Sequence, residues 1–200
     1  MAVNSQSNVK VYLDDKRDTL IFNNIHKGEI SMIYIYNCYG GTHTSVLAAA
    51  YHLNRLPRDR KPSKEEILNT YMFDKLLPQE HGKLIHHGKD DQGNDIFSVG
   101  RGNSKAVIPA ITSSFQLLAD KEELSEKVIL SNTSPTVPLM MTIGGFCSRQ
   151  LRLTSLGRAL LVLGAQQTYK NIIQVVEDTT RAGNTSSPKV KVLNNEGIKL

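Results

Sequence analysis

Two cysteines in 200 residues, Cys38 and Cys147, are too few for a disulfide framework, so a packed core must hold the fold and a reducing compartment is expected. No apolar run approaches the ~20 residues of a membrane-spanning helix. The longest, Ala159 to Ala165, is only strand-sized. Residues 1–8 have neither a basic nor an apolar segment, so no secretory leader is expected, the protein is read as cytoplasmic, and no membrane contact is anticipated. Zinc-finger spacing, an RNP-type aromatic strand and a helix-turn-helix pattern are all missing, which argues against nucleic acid as a partner. The histidines lack ligand-like spacing. His86 and His87 are neighbours on an expected strand and would face opposite sides, and no tight motif joins Cys38 and His43 to either of them, so no metal site is expected. Nothing points to a particular cofactor or oligomeric state.

The net charge of +5 is modest and uneven. Residues 55–64 hold five basic residues against Asp59, and residues 181–200 hold four against Glu196. Both runs read as solvated segments, with a partner surface at 55–64 as the alternative. A hydrophobic fraction of 40% suits one globular core.

Runs at Val9–Leu13 and Thr19–Asn23 around a turn-prone Asp14–Asp18 suggest a β-hairpin within an N-terminal extension, residues 1–30. Residues 31–182 then alternate strand and helix signals. Ile33–Tyr36 reads as a buried strand, and Gly40-Gly41 ends it. Thr42 or Thr44 is placed to cap a helix carrying Val46, Leu47, Ala50 and Leu53. Ser63-Lys64-Glu65-Glu66 forms a capping box. Strands are expected at Lys83–His87, Ile96–Val99, Val128–Leu130 and Leu160–Leu163, with helices at about Ala106–Leu118, Leu139–Leu151 and around Tyr169–Val176. Residues 183–200 read as a flexible tail. The fold class is therefore α/β: a three-layer sandwich with a mainly parallel sheet, helices on both faces, and a P-loop-like or Rossmann-like first strand-loop-helix. Right-handed crossovers would gather Cys38–Ser45, Gly100–Ser104, Ser131–Ser134 and Gly164–Thr168 at the carboxyl edge of the sheet, where such folds bind ligands.

The loop Cys38-Tyr39-Gly40-Gly41-Thr42-His43-Thr44-Ser45 carries the most chemistry. Glycines permit close backbone approach, the opening amides of a helix are unpaired, and Thr42, Thr44 and Ser45 add hydroxyls. The reading is a cradle for a small anionic or phosphorylated ligand at Gly40, Gly41, Thr42, His43, Thr44 and Ser45, with Arg101, Arg149 and Arg158 as candidate guanidinium partners. The loop lacks the lysine of a P-loop, which disfavours nucleotide hydrolysis. It also lacks the arginine of a cysteine phosphatase, since Thr44 stands there. The alternatives are a hydrolase or transferase using Cys38 as nucleophile or His43 as acid/base, and a non-catalytic interaction protein. Gly144-Gly145, inside an apolar helix, is read as a site of close packing.

This loop and its alanine-rich helix, together with Leu56-Pro57-Arg58-Asp59-Arg60, Gly144-Gly145-Phe146, Ser148-Arg149 and Leu156-Gly157-Arg158, resemble an uncharacterised bacterial domain of unknown function known mainly from spore-forming Gram-positive bacteria. The resemblance spans about Met32 to Asp178, with Ala159 where that family is expected to carry proline. It implies a single domain in a bacterial cytoplasm and supplies neither substrate nor catalytic residues.

Overall fold

A computed structural model describes residues 31–149, 154–185 and 188–198, without the side chains of Ser148, Arg149 and Thr154. The expected N-terminal hairpin lies outside these residues. The chain runs β1 (Met32–Cys38), α1 (Thr44–His52), α2 (Lys64–Leu68), β2 (Ile85–Lys89), β3 (Asp95–Gly100), α3 (Val107–Asp120), β4 (Lys127–Asn132), α4 (Leu139–Arg149), α5 (Thr154–Gly183) and β5 (Val190–Leu193), with short 3-10 turns at Pro78–Glu80 and Ser134–Thr136.

The five strands form one mixed sheet in the order β2-β3-β1-β4-β5. β1 pairs in parallel with β3 and β4, β4 with β5, and only the edge strand β2 is antiparallel. The centre falls to β1 because its residues suit burial on both faces: Tyr34, Ile35 and Tyr36 are all fully buried. Successive side chains alternate between faces. Tyr34 and Tyr36 join Ile96 and Ile129 in a core that also holds Val46, Leu47, Leu161, Ile172 and Val176 of α1 and α5. On the opposite face Ile33, Ile35, Val99, Val128 and Leu130 form a second core, covered by Val107, Ile108, Ile111 and Phe115 of α3. Helices therefore lie against both faces of an α/β sheet.

The local signals act as expected in several places. Ser63 and Glu66 make a reciprocal capping box: the Ser63 amide donates to Glu66 Oε2 at 2.6 Å and the Glu66 amide to Ser63 Oγ at 3.2 Å. Asp90 closes the β2–β3 turn by accepting from the Gln92 and Asn94 amides, each at 2.9 Å.

Three expectations need correction. Residues 160–163 are not a strand but lie inside the 30-residue helix α5. Leu161 and Val162 face the core, whereas Leu163 is exposed, an orientation the uniformly apolar run conceals. The expected tail supplies β5, where Val190 is buried and Val128↔Val190 through Ser131↔Leu193 pair in register. Finally, the β3–β4 and β4–β5 crossovers advance in the same direction along the sheet but use opposite faces. They are consequently of opposite hand, and one departs from the right-handed rule.

Candidate functional site at the carboxyl edge of the sheet

Parallel pairing brings the carboxyl ends of β1, β3, β4 and β5 to one edge. Three of the four expected loop segments meet there. The fourth is helical, and it reaches the edge through Thr168, whose hydroxyl donates to the Thr136 carbonyl at 2.6 Å.

The glycines of the 38–45 loop are required by neighbouring backbone. Gly41 has φ +66, and a Cβ built on it would stand 2.3 Å from the Gly100 nitrogen. A Cβ on Gly100 would stand 2.8 Å from the Gly40 carbonyl oxygen. The two loops therefore lie backbone against backbone. Arg101 N–H donates to the Cys38 carbonyl at 3.1 Å and Gly102 N–H to the Tyr39 carbonyl at 2.9 Å, extending strand pairing beyond β1 and β3.

The hydroxyls of the same loop are turned inward. Thr42, Thr44 and Ser45 are fully buried. Thr42 Oγ1 donates to the Met72 carbonyl at 2.6 Å and accepts from the amides of Lys75 and Leu76 at 3.0 and 3.3 Å. Thr133 Oγ1 donates to the Asn37 carbonyl at 3.0 Å, so its 2.9 Å contact with Thr44 Oγ1 has Thr44 as donor. Ser45 Oγ lies 3.2 Å from Cys38 Sγ, which also accepts from the Gly41 amide at 3.1 Å. Neither threonine caps α1; the N-cap is His43, and it makes no side-chain capping bond. These groups clamp the loop to the 72–76 segment and to the end of β4.

His43 is half-buried and its Nε2 lies 3.2 Å from Asp74 Oδ1, with the Phe73 ring edge-on at 5.6 Å. The imidazole is thereby oriented. Arg158 Nε sits 3.9 Å from Asp74 Oδ2, so this guanidinium faces the Asp74 carboxylate. Arg101 donates to Ser134 Oγ at 3.3 Å. The side chain of Arg149 lies outside the described set. Arg101 and Arg158 are thus drawn to different partners on the carboxyl edge. Cys38 is buried at 3% exposure, beneath the loop. Among the described residues no three His, Cys, Asp or Glu side chains come within reach of one metal ion.

On the α3 side of the same edge is a cavity of about 250 Å³ lined by Asn37, Arg101, Ser104, Lys105, Ile108, Asn132, Val192 and Asn194. Asn37 and Asn132 are register partners at the ends of β1 and β4. Arg101, Ser104 and Lys105 belong to the turn that opens α3. There the Ala106 amide donates to Ser104 Oγ at 3.2 Å, while the first helical amides have no intrahelical acceptor. Asn37 is only 2% exposed, and its Nδ2 is buried with no hydrogen-bond partner. Sequence reasoning named Arg101 here and placed the Ser131–Ser134 segment, with Asn132, at this edge, but it did not single out Asn37, Lys105 or Asn194. A polar residue ending an apolar strand was a usable signal for the first asparagine, whereas Asn194 became visible only with β5.

A larger cavity, about 600 Å³, lies between α2 and the β2 edge and is lined by Arg55, Arg60, Glu66, Tyr71 and His87 among others. Its cations are already engaged. Arg60 forms a two-point pair with Glu66 at 2.6 and 2.9 Å, and Arg55 donates to the His87 carbonyl at 2.9 Å. Arg58 pairs with Glu177 at 3.1 Å. Much of the basic 55–64 run is therefore matched within the molecule.

Fold and site together define an α/β protein with a mixed five-stranded sheet and a small polar cavity at its carboxyl edge. The chain belongs to the family described as Protein of unknown function (DUF3189), whose family model matches residues 33–181. That match begins in β1 and ends in α5, so it includes Asn37, Arg101, Lys105 and Asn132 and stops before β5. No curated protein and no solved structure matches the chain.

Proposed function

We propose that this protein binds a small anionic ligand, a phosphate-bearing or carboxylate compound, in the cavity between the opening of α3 and the ends of β1, β4 and β5. The observation that carries the reading is Asn37 Nδ2, a buried donor without a partner beside Arg101 and Lys105. An unpaired buried donor costs about 1–3 kcal/mol, and an anionic oxygen accepting from it recovers that cost. The lining contains two cations and no carboxylate. The first amides of α3 add the positive end of a helix dipole. The 38–45 loop then serves as the support that fixes Asn37, since the Asn37 carbonyl holds the amide and the hydroxyl of Thr133.

The size of the cavity restricts the ligand. Drug-sized and nucleotide ligands generally occupy ~300–1,000 Å³, so about 250 Å³ admits a phosphate or carboxylate group with only a small attached body. A thermal-shift series with phosphate, sulfate, small phosphomonoesters and dicarboxylates tests the reading. A ligand present at ~100 times its dissociation constant stabilises the folded state by about 2.7 kcal/mol and raises the melting temperature by several degrees. For Arg101→Ala the affinity is expected to fall at least tenfold, which at the same ligand concentration cuts the stabilisation to about 1.4 kcal/mol or less. No shift with any of these compounds rejects the proposal.

A further inference from the structure

The larger cavity, about 600 Å³ between α2 and the β2 edge, is shaped by an irregularity in β2. His86 pairs with Phe97 and Gly88 with Ile96, so His87 is an extra residue, a β-bulge. Bulges re-aim side chains and are frequent next to functional sites. Here His87 lines the cavity, with its Nε2 2.8 Å from Ser98 Oγ. The residue is only 6% exposed, and its second ring nitrogen, Nδ1, has no hydrogen-bond partner among the described residues. Burial keeps the ring neutral at pH 7, which leaves Nδ1 ready for one hydrogen bond. Gly88 follows with φ +125, and a Cβ on it would stand 3.0 Å from Arg55 Nη2. The missing side chain is the notch in which the Arg55 guanidinium lies, held by its 2.9 Å donation to the His87 carbonyl. That acceptor is neutral, and no described carboxylate pairs with Arg55, so its charge is unbalanced. The other lining charges are Arg60 and Glu66, which neutralise each other in their two-point pair, and Glu65, which has no cation partner among the described residues. Tyr71 completes the wall. It is 53% exposed, and its ring stands at 82° to that of His87, a contact that occupies at most one of its faces.

These groups select a ligand by its chemistry. A seated, unbalanced guanidinium calls for an anionic group, and its fork of donors suits phosphate. An open aromatic face calls for a planar ring, which stacks on it. His87 Nδ1, the Asn69 amide and the Glu65 carboxylate can exchange hydrogen bonds with the edge of such a ring or with sugar hydroxyls. Glu65 and Glu66 would repel a chain of phosphates, so a single one is favoured. Volume decides between the remaining classes. An amino acid could also bridge Arg55 and Glu65, but it would leave most of about 600 Å³ unfilled, whereas drug-sized ligands generally occupy ~300–1,000 Å³.

We propose that the cavity between α2 and β2 is a second binding site, for a nucleoside monophosphate, with the phosphate on Arg55, the base against Tyr71 and His87 Nδ1 hydrogen-bonded to a polar edge. It is separate from the small-anion cavity at the carboxyl edge and does not depend on it. Isothermal titration calorimetry of the full-length protein with the four ribonucleoside 5′-monophosphates tests it. At least one is expected to bind, with the same affinity in the wild type and in Arg101→Ala, which weakens the other cavity. In Arg101→Ala that nucleotide should bind at least tenfold more tightly than either its parent nucleoside or inorganic phosphate, because each of these supplies only one of the two contacts. Arg55→Gln is expected to weaken binding tenfold or more, and Tyr71→Ala about fivefold or more. Far-UV circular dichroism establishes that the variants are folded; should Arg55→Gln unfold, Tyr71→Ala, at an exposed position, reads the same contact. No binding by any of the four, equal affinity for inorganic phosphate, an affinity unaffected by the substitutions at Arg55 and Tyr71, or one lost in Arg101→Ala overturns the proposal. Failure here leaves the small-anion site standing, since a nucleotide exceeds the volume of that cavity.

Discussion

The two sides of the carboxyl edge use similar residue types to opposite ends. On the α1 side, glycines, threonines and a serine are spent internally: Gly41 against Gly100, Thr42 on the 72–76 backbone, Thr44 on Thr133, Ser45 on Cys38. On the α3 side, Asn37 has a donor left over, and Arg101 and Lys105 border an open cavity. A glycine and hydroxyl cluster at a strand-to-helix turn therefore marks a ligand cradle only when its groups remain unspent. Side-chain direction, which alternates along β1, assigns Cys38 to the first side and Asn37 to the second.

Substitutions distinguish the two sides. The largest effect is expected for Gly41→Ala, where a Cβ meets backbone at 2.3 Å and φ is +66. The loss of stability should be at least about 3 kcal/mol, or near 10 °C in melting temperature, measured by urea and thermal unfolding. A loss below ~1 kcal/mol would mean that the two loops separate easily and that the α1 side is not a rigid support.

Acidification probes a different part of the same α1-covered face, the buried imidazoles of His52 and His87, which have no counterpart around the cavity. Burial, followed by Arg55 and His86, pushes His87 down to about 4, and its Nε2 lies 2.8 Å from Ser98 Oγ. Burial also lowers His52, outweighing the opposing pull of Asp90. Between pH 6.5 and about 4 the unfolded chain takes up a proton that folded His87 refuses. Its contribution is therefore fully present above pH 6.5 and is lost as pH falls, by on the order of 3 kcal/mol at pH 4. Urea unfolding at successive pH values should show this slope, and His87→Asn should flatten it; an unchanged slope in the variant would assign the pH dependence elsewhere.

The smallest change in stability belongs to the α3 side. Asn37→Leu keeps the size of the side chain and removes an unpaired donor, so without ligand the unfolding free energy should rise, by about 1 kcal/mol, the low end of what such a donor costs. The same variant should abolish the ligand-induced thermal shift. Retention of that shift would sink the role given to Asn37 while leaving the cavity itself intact.

The fold was largely legible. Buried-strand composition located β1, β3 and β4, the Asp-Gln-Gly-Asn turn located the β2–β3 hairpin, and the capping box located α2. Residues 160–163 were misread because a short apolar run has the same appearance in a buried strand and in a helix apolar on two sides. β5 was missed because four residues form a strand only when the free edge of β4 is beside them. Of the expected site residues whose side chains are described, Arg101 alone borders the cavity.

The 38–45 segment shows where the two levels divide. By itself the sequence determined that β1 would be central, that a glycine-bearing turn would follow it and that an alanine-rich helix would come next, because composition and periodicity act locally. Tertiary structure alone decided which of the turn's polar groups are paired. Partners at sequence separations of 30 and 89 residues, Met72 and Thr133, took up the hydroxyls of Thr42 and Thr44. The donor left unpartnered was on the other face of the same strand, because the next residue in a strand points the opposite way.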